Sequence, residues 1–369
     1  MTRLPLRPRL PRLVAAGALA LGLVLGTGAA CAGSDEPPST SAGQQSARHA
    51  GRQAPPLDSQ LDSQLDSQLD SQRLVLAISV DGLRSSVFRE IGWKDLPGFR
   101  ALRKDGASTL NARTEYEKTL TLPDHTSMLT SRRVDADHGG HGVTWDIDKP
   151  KMTVQKAAGH PVGSVFSDVH AADGTTALFT SKPKFSLFSR SWPKGIDRYT
   201  VEENNGKLVR KARADLRQAS RSFTFLHLSA PDVAGHAHGW GSQEYLDAVQ
   251  RVDGWLTAIE QTIANKPKLR KHLTLVLTAD HGGAGDGHAD ATKLADYKIP
   301  FFVWGHGVGT GDLYDLNDAY ADPGTQRPGY AKTKQPIRNG VVANLSLGLL
   351  GLSSINGSGI DAGQDLVLE

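Results

Sequence analysis

The run Leu273-Thr-Leu-Val-Leu-Thr-Ala-Asp-His-Gly-Gly283 constrains this chain more than any other stretch. Leu273 to Leu277 is short and apolar, the pattern of a strand buried on both faces. Such a strand needs helices above and below it, which points to a layered α/β fold. The run stops abruptly in Asp280-His281 and two glycines. Ligands of open α/β sheets bind beyond the carboxyl ends of the strands. A carboxylate beside an imidazole at such an end packs poorly and ligates a divalent cation well. Taken alone, the pair reads equally well as a polar turn closed by glycine.

Matching pieces recur along the chain. Leu74 to Val80 is a second apolar strand, ending in Asp81-Gly82. Thr176 to Ser181 reads as a strand with Lys182 and Lys184 at its end. Phe223 to Leu228 is another, running into Asp232-Val-Ala-Gly-His236-Ala-His238. Ile299 to Trp304 is a further strand, preceded by Gly285-Asp-Gly-His288. Helices are expected over Pro97 to Leu102, from the Thr121-Leu-Pro123 start, from Ser242 to Ile263 and over Val341 to Leu352. Strands alternating with helices predict a three-layer α/β sandwich around a mostly parallel central sheet.

Each polar strand end has a bland reading beside the chemical one. Asp81-Gly82 is also a common turn. Thr121 could merely cap its helix; with Pro123 in the first turn it is expected just before the helix N-terminus, where a phosphate is welcome. A Thr hydroxyl beside a divalent cation can ionise and attack phosphorus. Asp232 and His236, four apart, have ligand-like spacing. His138 and His141 in a Gly-rich loop could ligate a metal or form a surface turn. Lys182 and Lys184 are solvated cations unless they face an anion, where they would bind phosphate oxygens.

Composition separates the export signal from the rest. Of 369 residues 38% are hydrophobic, enough for one large α/β domain. Arg3, Arg7, Arg9 and Arg12 precede the apolar run Leu13 to Leu25, and small residues lead to Cys31. Residues 1–31 therefore read as a signal peptide, with Cys31, the only cysteine, as a lipidation site of bacterial-lipoprotein type. Ordinary cleavage would instead give a secreted protein. Removing the four arginines takes the net charge from +3 to −1, which offers no electrostatic case for nucleic-acid binding. Residues 32–72, with Leu57-Asp-Ser-Gln repeated four times, read as a disordered tether. Residues 73–369 are left as the folded domain that carries these strand ends.

The ordered set Asp81, Thr121-Leu-Pro-Asp-His, Asp232-x-x-Gly-His236, Asp280-His281-Gly and Gly-His288 resembles the alkaline phosphatase superfamily. It is closest to the type I phosphodiesterase/nucleotide pyrophosphatase branch and its bacterial alkaline-phosphatase-like relatives, over roughly residues 73 to 352. The resemblance implies that Asp81, Thr121, Asp280 and His281 hold one Zn²⁺ and that Asp232, His236 and His288 hold a second, with Mn²⁺ or another first-row ion as a substitute. His306 and His238 are rivals of His288. Thr121 is implied as nucleophile, forming a phosphothreonine. Many relatives carry an Asn after the His-Gly loop; here Asp146 stands in that place, and a carboxylate there would repel a phosphate dianion. Lys182 and Lys184 resemble the cation pair that phosphomonoesterases with a Thr nucleophile use on terminal oxygens, which tips the expectation slightly to monoesters. Phosphodiesters and nucleotide pyrophosphates are the alternative substrates, and a catalytically inactive metal-binding surface lipoprotein is the alternative of another class. Sulfatases need Cys or Ser where Thr121 stands, and an export signal does not suit a phosphoglycerate mutase.

Overall fold

The computed structural model describes residues 73–368, and the expected signal peptide, the Leu-Asp-Ser-Gln tether and Cys31 lie outside them. The strands are β1 (Leu74–Val80), β2 (Gly106–Arg113), β3 (Thr176–Thr180), β4 (Arg198–Val201), β5 (Phe223–Leu228), β6 (Leu273–Thr278), β7 (Lys298–Gly305) and β8 (Gly311–Asp312). They form one sheet in the order β4-β3-β5-β1-β6-β7-β2-β8. All neighbours pair in parallel except β7, which is antiparallel to both β6 and β2. Every residue of β1, β3, β5 and β6 is buried, as their uninterrupted apolar runs require.

Among the described residues, the helices of eight residues or more are α1 (Pro97–Lys104), α2 (Thr121–Thr130), α3 (Asn205–Leu216), α4 (Ala230–His238), α5 (Gln243–Ala264) and α6 (Val342–Leu349). α5 packs on α1, α3 and α4 on one face of the sheet, and α6 packs on α2, β1 and β6 on the other. α5 begins where the sequence predicts: the Ser242 side chain accepts the backbone N–H of Tyr245. Its stripe Tyr245, Val249, Val252, Leu256, Ile259 and Ile263 is buried. The closing helix is shorter than expected, since a 3₁₀ turn over Asn339–Val341 leads in and Leu350 ends it.

The sequence analysis did not find β2, β4 and β8. Gly-Ala-Ser-Thr-Leu-Asn-Ala-Arg in β2 carries too little apolar pattern, yet pairing with β7 buries most of it. A register shift between Thr109 and Ala112 breaks its alternation further. β4 is an edge strand with no buried residue.

Candidate functional site

The carboxyl ends of β1, β5 and β6 lie side by side, because β1 pairs with β5 on one flank and β6 on the other. Asp81 leaves β1 with its N–H on Leu228 O of β5, 2.9 Å. Asp232 opens α4 with its N–H on Asp81 O, 3.1 Å. Gly82 is what permits this approach. Its φ is +72°, and a Cβ there would lie 2.9 Å from Asp232 Cα. Asp280 and His281 follow β6, and Asp280 Oδ1 accepts the N–H of Gly82 at 3.1 Å and of His281 at 2.9 Å.

Three carboxylates and three imidazoles thus face one another. His281 Nε2 stands 3.3 Å from Asp81 Oδ1, 3.3 Å from Asp280 Oδ2 and 3.9 Å from Asp232 Oδ1. His288 Nε2 is 3.8 Å from Asp232 Oδ1, and its ring lies flat on that of His281 with centroids 3.5 Å apart. His236, one turn after Asp232 on α4, places Nε2 3.3 Å from Asp232 Oδ1 and 3.1 Å from His288 Nε2. No helix is expected from the sequence over the segment holding Asp232 and His236. It is helical, and the i, i+4 spacing sets both side chains on one face.

The tautomers follow from the partners. His288 Nδ1 lies 2.7 Å from Thr119 O and His281 Nδ1 2.9 Å from Gly282 O. A carbonyl only accepts, so each Nδ1 carries the hydrogen and each Nε2 turns a lone pair inward. Two sets have their ligand atoms within 4.8 Å of one another: Asp81, Asp280 and His281, and Asp232, His281 and His288. Asp81 Oδ1, Asp280 Oδ2, Asp232 Oδ1 and His281 Nε2 are all buried without a hydrogen-bond partner. Buried polar atoms are ordinarily paired. Four unpaired acceptors converging on a small space are what a pair of cations satisfies, so the donor set fits divalent metal.

Lys182 is the one ammonium among them, with Nζ 2.6 Å from Asp81 Oδ2, 2.7 Å from Asp232 Oδ2 and 3.3 Å from Thr121 Oγ1. Burial pushes the Asp81 carboxyl up, but Lys182 and the His227 hydrogen bond outweigh it and hold Asp81 well below the ordinary range. Asp232, also raised by burial and by Asp81, is brought down to about 2 by His236 and Lys182. For Asp280, burial and then the Asp81 charge outweigh Lys182 and raise it well above the usual value. Burial, then the neighbouring His288, lowers His281 to about 3, so its imidazole is neutral and ready to ligate.

Thr121 is the first residue of α2, not the residue before it, and makes no capping bond. Its hydroxyl is therefore free to face Lys182. Asp124 does the capping instead, its Oδ2 accepting the N–H of Leu120 at 3.0 Å. Asp146 and Lys184 form a separate pair, 2.8 Å apart. Asp146 Oδ1 also accepts the N–H of Leu122 at 2.8 Å, so the carboxylate sits on the free N–H groups of α2. Lys184 meets Asp146 rather than Thr121.

Topology sorts the remaining histidines. His306 backs onto Leu273 O at the amino end of β6, the opposite edge of the sheet. His238 is exposed and lines a cavity beyond α4. His138 bonds Asp135 at the surface, and His141 bonds Ser127 Oγ in the interior. Two histidines with no assigned role matter here. His227 Nε2 lies 2.9 Å from Asp81 Oδ2, so it donates there and leaves Asp81 Oδ1 to the cluster. His125 Nδ1 bonds Thr121 O at 2.7 Å and stands 3.5 Å from Asp280 Oδ2. The only signal for His227 was a lone imidazole inside an apolar strand.

The sequence matches the type I phosphodiesterase/nucleotide pyrophosphatase family over residues 75–297, more than half of the chain. The chain belongs to that family. Curated relatives include Homo sapiens ectonucleotide pyrophosphatase/phosphodiesterase family member 7, 24% identical over 63% of this chain and 53% of its own length. Another is Mus musculus GPI ethanolamine phosphate transferase 1, 26% identical over 45% of this chain but only 17% of its own length. The chain thus spans a minor part of the first relatives it matches. Among solved structures, murine ectonucleotide pyrophosphatase/phosphodiesterase 5, an inactive threonine-to-alanine variant in complex with AMP, superposes with a TM-score of 0.60 at 15% identity. That match covers 81% of this chain and all of the other, and shares the fold. Both sets of clustered ligand atoms fall within the residues that the family model matches.

Proposed function

We propose that this chain hydrolyses phosphoric esters by way of Thr121. The observation that carries the reading is the convergence of Asp81 Oδ1, Asp280 Oδ2, Asp232 Oδ1 and His281 Nε2, buried and unpaired, beside a free threonine hydroxyl. Asp81, Asp280, His281 and Thr121 would hold one divalent cation, and Asp232, His236 and His288 the other, with Zn²⁺ or Mn²⁺ suiting the mixed ligands. Such ions, when bound, supply the positive charge that acidifies the hydroxyl and offsets charge on the departing oxygen. Thr121 Oγ1 attacks phosphorus, the bond to the leaving-group oxygen breaks, and a phosphothreonine forms. Water then cleaves the P–Oγ1 bond, returning the threonine and releasing phosphate or a phosphate monoester. Lys182, 3.3 Å from Thr121 Oγ1, holds a phosphoryl oxygen. His125 fixes the backbone of the nucleophile through Thr121 O.

Lys184 is neutralised by Asp146 and Lys182 is held between Asp81 and Asp232, so neither lysine is a spare cation near Thr121. Such a setting suits a monoanionic diester or nucleotide pyrophosphate better than a dianionic monoester. The murine relative crystallised with AMP supports a nucleotide as the acid component. A monoesterase is the second reading, favoured if Lys184 turns from Asp146 to substrate. The test compares bis-p-nitrophenyl phosphate, a nucleotide pyrophosphate and p-nitrophenyl phosphate on one metal-loaded preparation. The diester and pyrophosphate are expected to turn over fastest, and Thr121→Ala to abolish turnover while retaining fold and metal. Full activity in that variant removes Thr121 as nucleophile, and no turnover of any substrate leaves a metal-binding protein. The basic n-region and Cys31 support an extracytoplasmic, lipid-anchored enzyme; among the described residues no helix is long and apolar enough to cross a membrane.

A further inference from the structure

A second concavity opens beside the site, behind the loops that follow β1 and β6. It encloses about 700 Å³. Its wall touches the cluster's scaffold: a Cβ on Gly282, the residue after His281, would lie 2.0 Å from Ala295 O and 3.1 Å from Arg84 Cβ, and both residues line the cavity. None of the proposed ligands lines it. The polar lining consists of Arg84, Ser85, Ser86, Arg89, Arg103 and Lys298, with no carboxylate among the lining residues.

Arg89 and Arg103 are exposed at the cavity rim, and the inner groups are incompletely paired. Ser85 is 6% exposed, and its hydroxyl has no hydrogen-bond partner. Arg84 bonds Glu90 at 2.5 Å and Trp240 O at 3.3 Å, yet its buried Nε is unpaired. The side chains of Arg89, which is exposed, and Lys298, which is half-buried, make no hydrogen bond or ion pair among the described residues. Lys298 is held below the ordinary lysine range, by burial first and then by the positive charges of Arg113 and Arg89. Arg103 lies over Trp93, 4.6 Å from the ring centroid, and the other side of that indole is stacked on Phe88 at 4.9 Å. With its flat face held on the indole, the guanidinium keeps its N–H edge available for an oxyanion. Trp93 has no face left for a nucleobase, so the ring serves as a platform for Arg103 and not for a ligand.

We propose that this cavity is a second binding site, distinct from the hydrolytic centre, for a small organic anion bearing a phosphate or phosphonate group. Arg89, Arg103 and Lys298 grip the charged oxygens, Ser85 donates a hydrogen bond, and Phe88 and Leu110 lie against an apolar body. The volume falls in the range of small-molecule sites, and charge-assisted bonds in a half-enclosed cavity are the strong kind. Arg84 joins the cavity to the centre, since it bonds both Trp240 O and Glu90.

Phenylphosphonate is the probe, because it cannot be hydrolysed as an ester and carries both a doubly charged head and an apolar ring. Calorimetric titration of the metal-loaded protein is expected to give two binding events. Arg89→Glu and Lys298→Glu each should remove one event, or weaken it at least tenfold, and leave p-nitrophenyl ester turnover unchanged. Neither side chain makes an ion pair, and an unchanged melting temperature checks that each variant keeps the fold. Ser85→Ala should weaken the same event several-fold. An event lost from both charge-reversed variants belongs to the cavity, whether or not the hydrolytic centre also takes the phosphonate. Binding that survives both reversals at full strength, or no binding at all, overturns the proposal.

Discussion

Asp81 shows how one carboxylate can serve two masters. Its Oδ2 takes Lys182 and His227, and its Oδ1 is left bare toward His281. His227 therefore acts on the cation seat through Asp81, without touching it. Outer partners of metal ligands are typically worth a 10–100-fold change in affinity. His227→Ala is expected to lower divalent-cation affinity by about that factor while preserving the fold, as measured by equilibrium dialysis; unchanged affinity would mean that Asp81 is oriented by Lys182 alone. Glu115 poses a different residue-scale question. Buried beside Tyr330, Arg338 and Glu117, its carboxyl is raised from 4.5 to about 7, by burial above all. The folded state thus holds this proton more tightly than the unfolded chain. Stability from that proton is complete below pH 4.5 and lost as pH rises through about 7. The loss amounts to a few kcal/mol, at about 1.4 kcal/mol per unit. Glu115→Gln should flatten this part of the denaturation-midpoint profile; a profile parallel to wild type would show that Glu115 is ionised in both states.

At the scale of elements, Trp240 ties three loops together. It follows α4, its Nε1–H donates to Gly82 O at 3.1 Å beyond β1, and its ring lies against Gly283 beyond β6. Tyr245 of α5 donates to the same Gly82 O at 2.9 Å. The indole also flanks His236 and His288, with centroids 5.0 and 5.6 Å away. Both Gly235 and Gly283 are small because Trp240 fills the space a side chain would need; a Cβ on Gly283 would come within 2.4 Å of the ring. Gly283→Ala should displace the indole, costing about 1–3 kcal/mol by overpacking and loosening His236 and His288. Denaturant midpoint and metal content should fall together. A stable variant with reduced metal content would mean that the indole orients the imidazoles without bracing the loops.

For the molecule as a whole, the sheet gathers three carboxylates around a single ammonium. Without added cations, burial and the Asp81 charge disfavour the Asp280 carboxylate and the inward-facing acceptors stay unpaired, so the apo fold stores a penalty that metal relieves. Cations at a hundredfold excess over their dissociation constant would add about 2.7 kcal/mol. Chelation is therefore expected to lower the melting temperature by on the order of 5 °C, with recovery on adding Zn²⁺ or Mn²⁺. A melting temperature insensitive to chelator would count against the cluster as a cation site. The site residues span Asp81 to His288, so the penalty falls on β1, β5 and β6 alike, and unfolding should stay cooperative in both states.

The sequence by itself determined the layered α/β class, because uninterrupted apolar runs in β1, β3, β5 and β6 can only be buried on both faces. It also marked Asp81, Asp280 and His281, since polar residues at the ends of such runs have no packing role, and Asp232 with His236 by their spacing. It could not show β2 or β4, whose burial or exposure depends on their partners and not on their own pattern. His288 is preferred to His306 only through the family resemblance, with no physical reason in the sequence itself. The physical reason is which edge of the sheet each occupies, and edges exist only once strands are ordered. The ion pair of Asp146 with Lys184, the seat of Lys182 between two carboxylates and the support from His227 are tertiary facts for the same reason. Each depends on distances of a few ångströms between residues tens to hundreds of positions apart, and the chain must close those distances before the charges can meet.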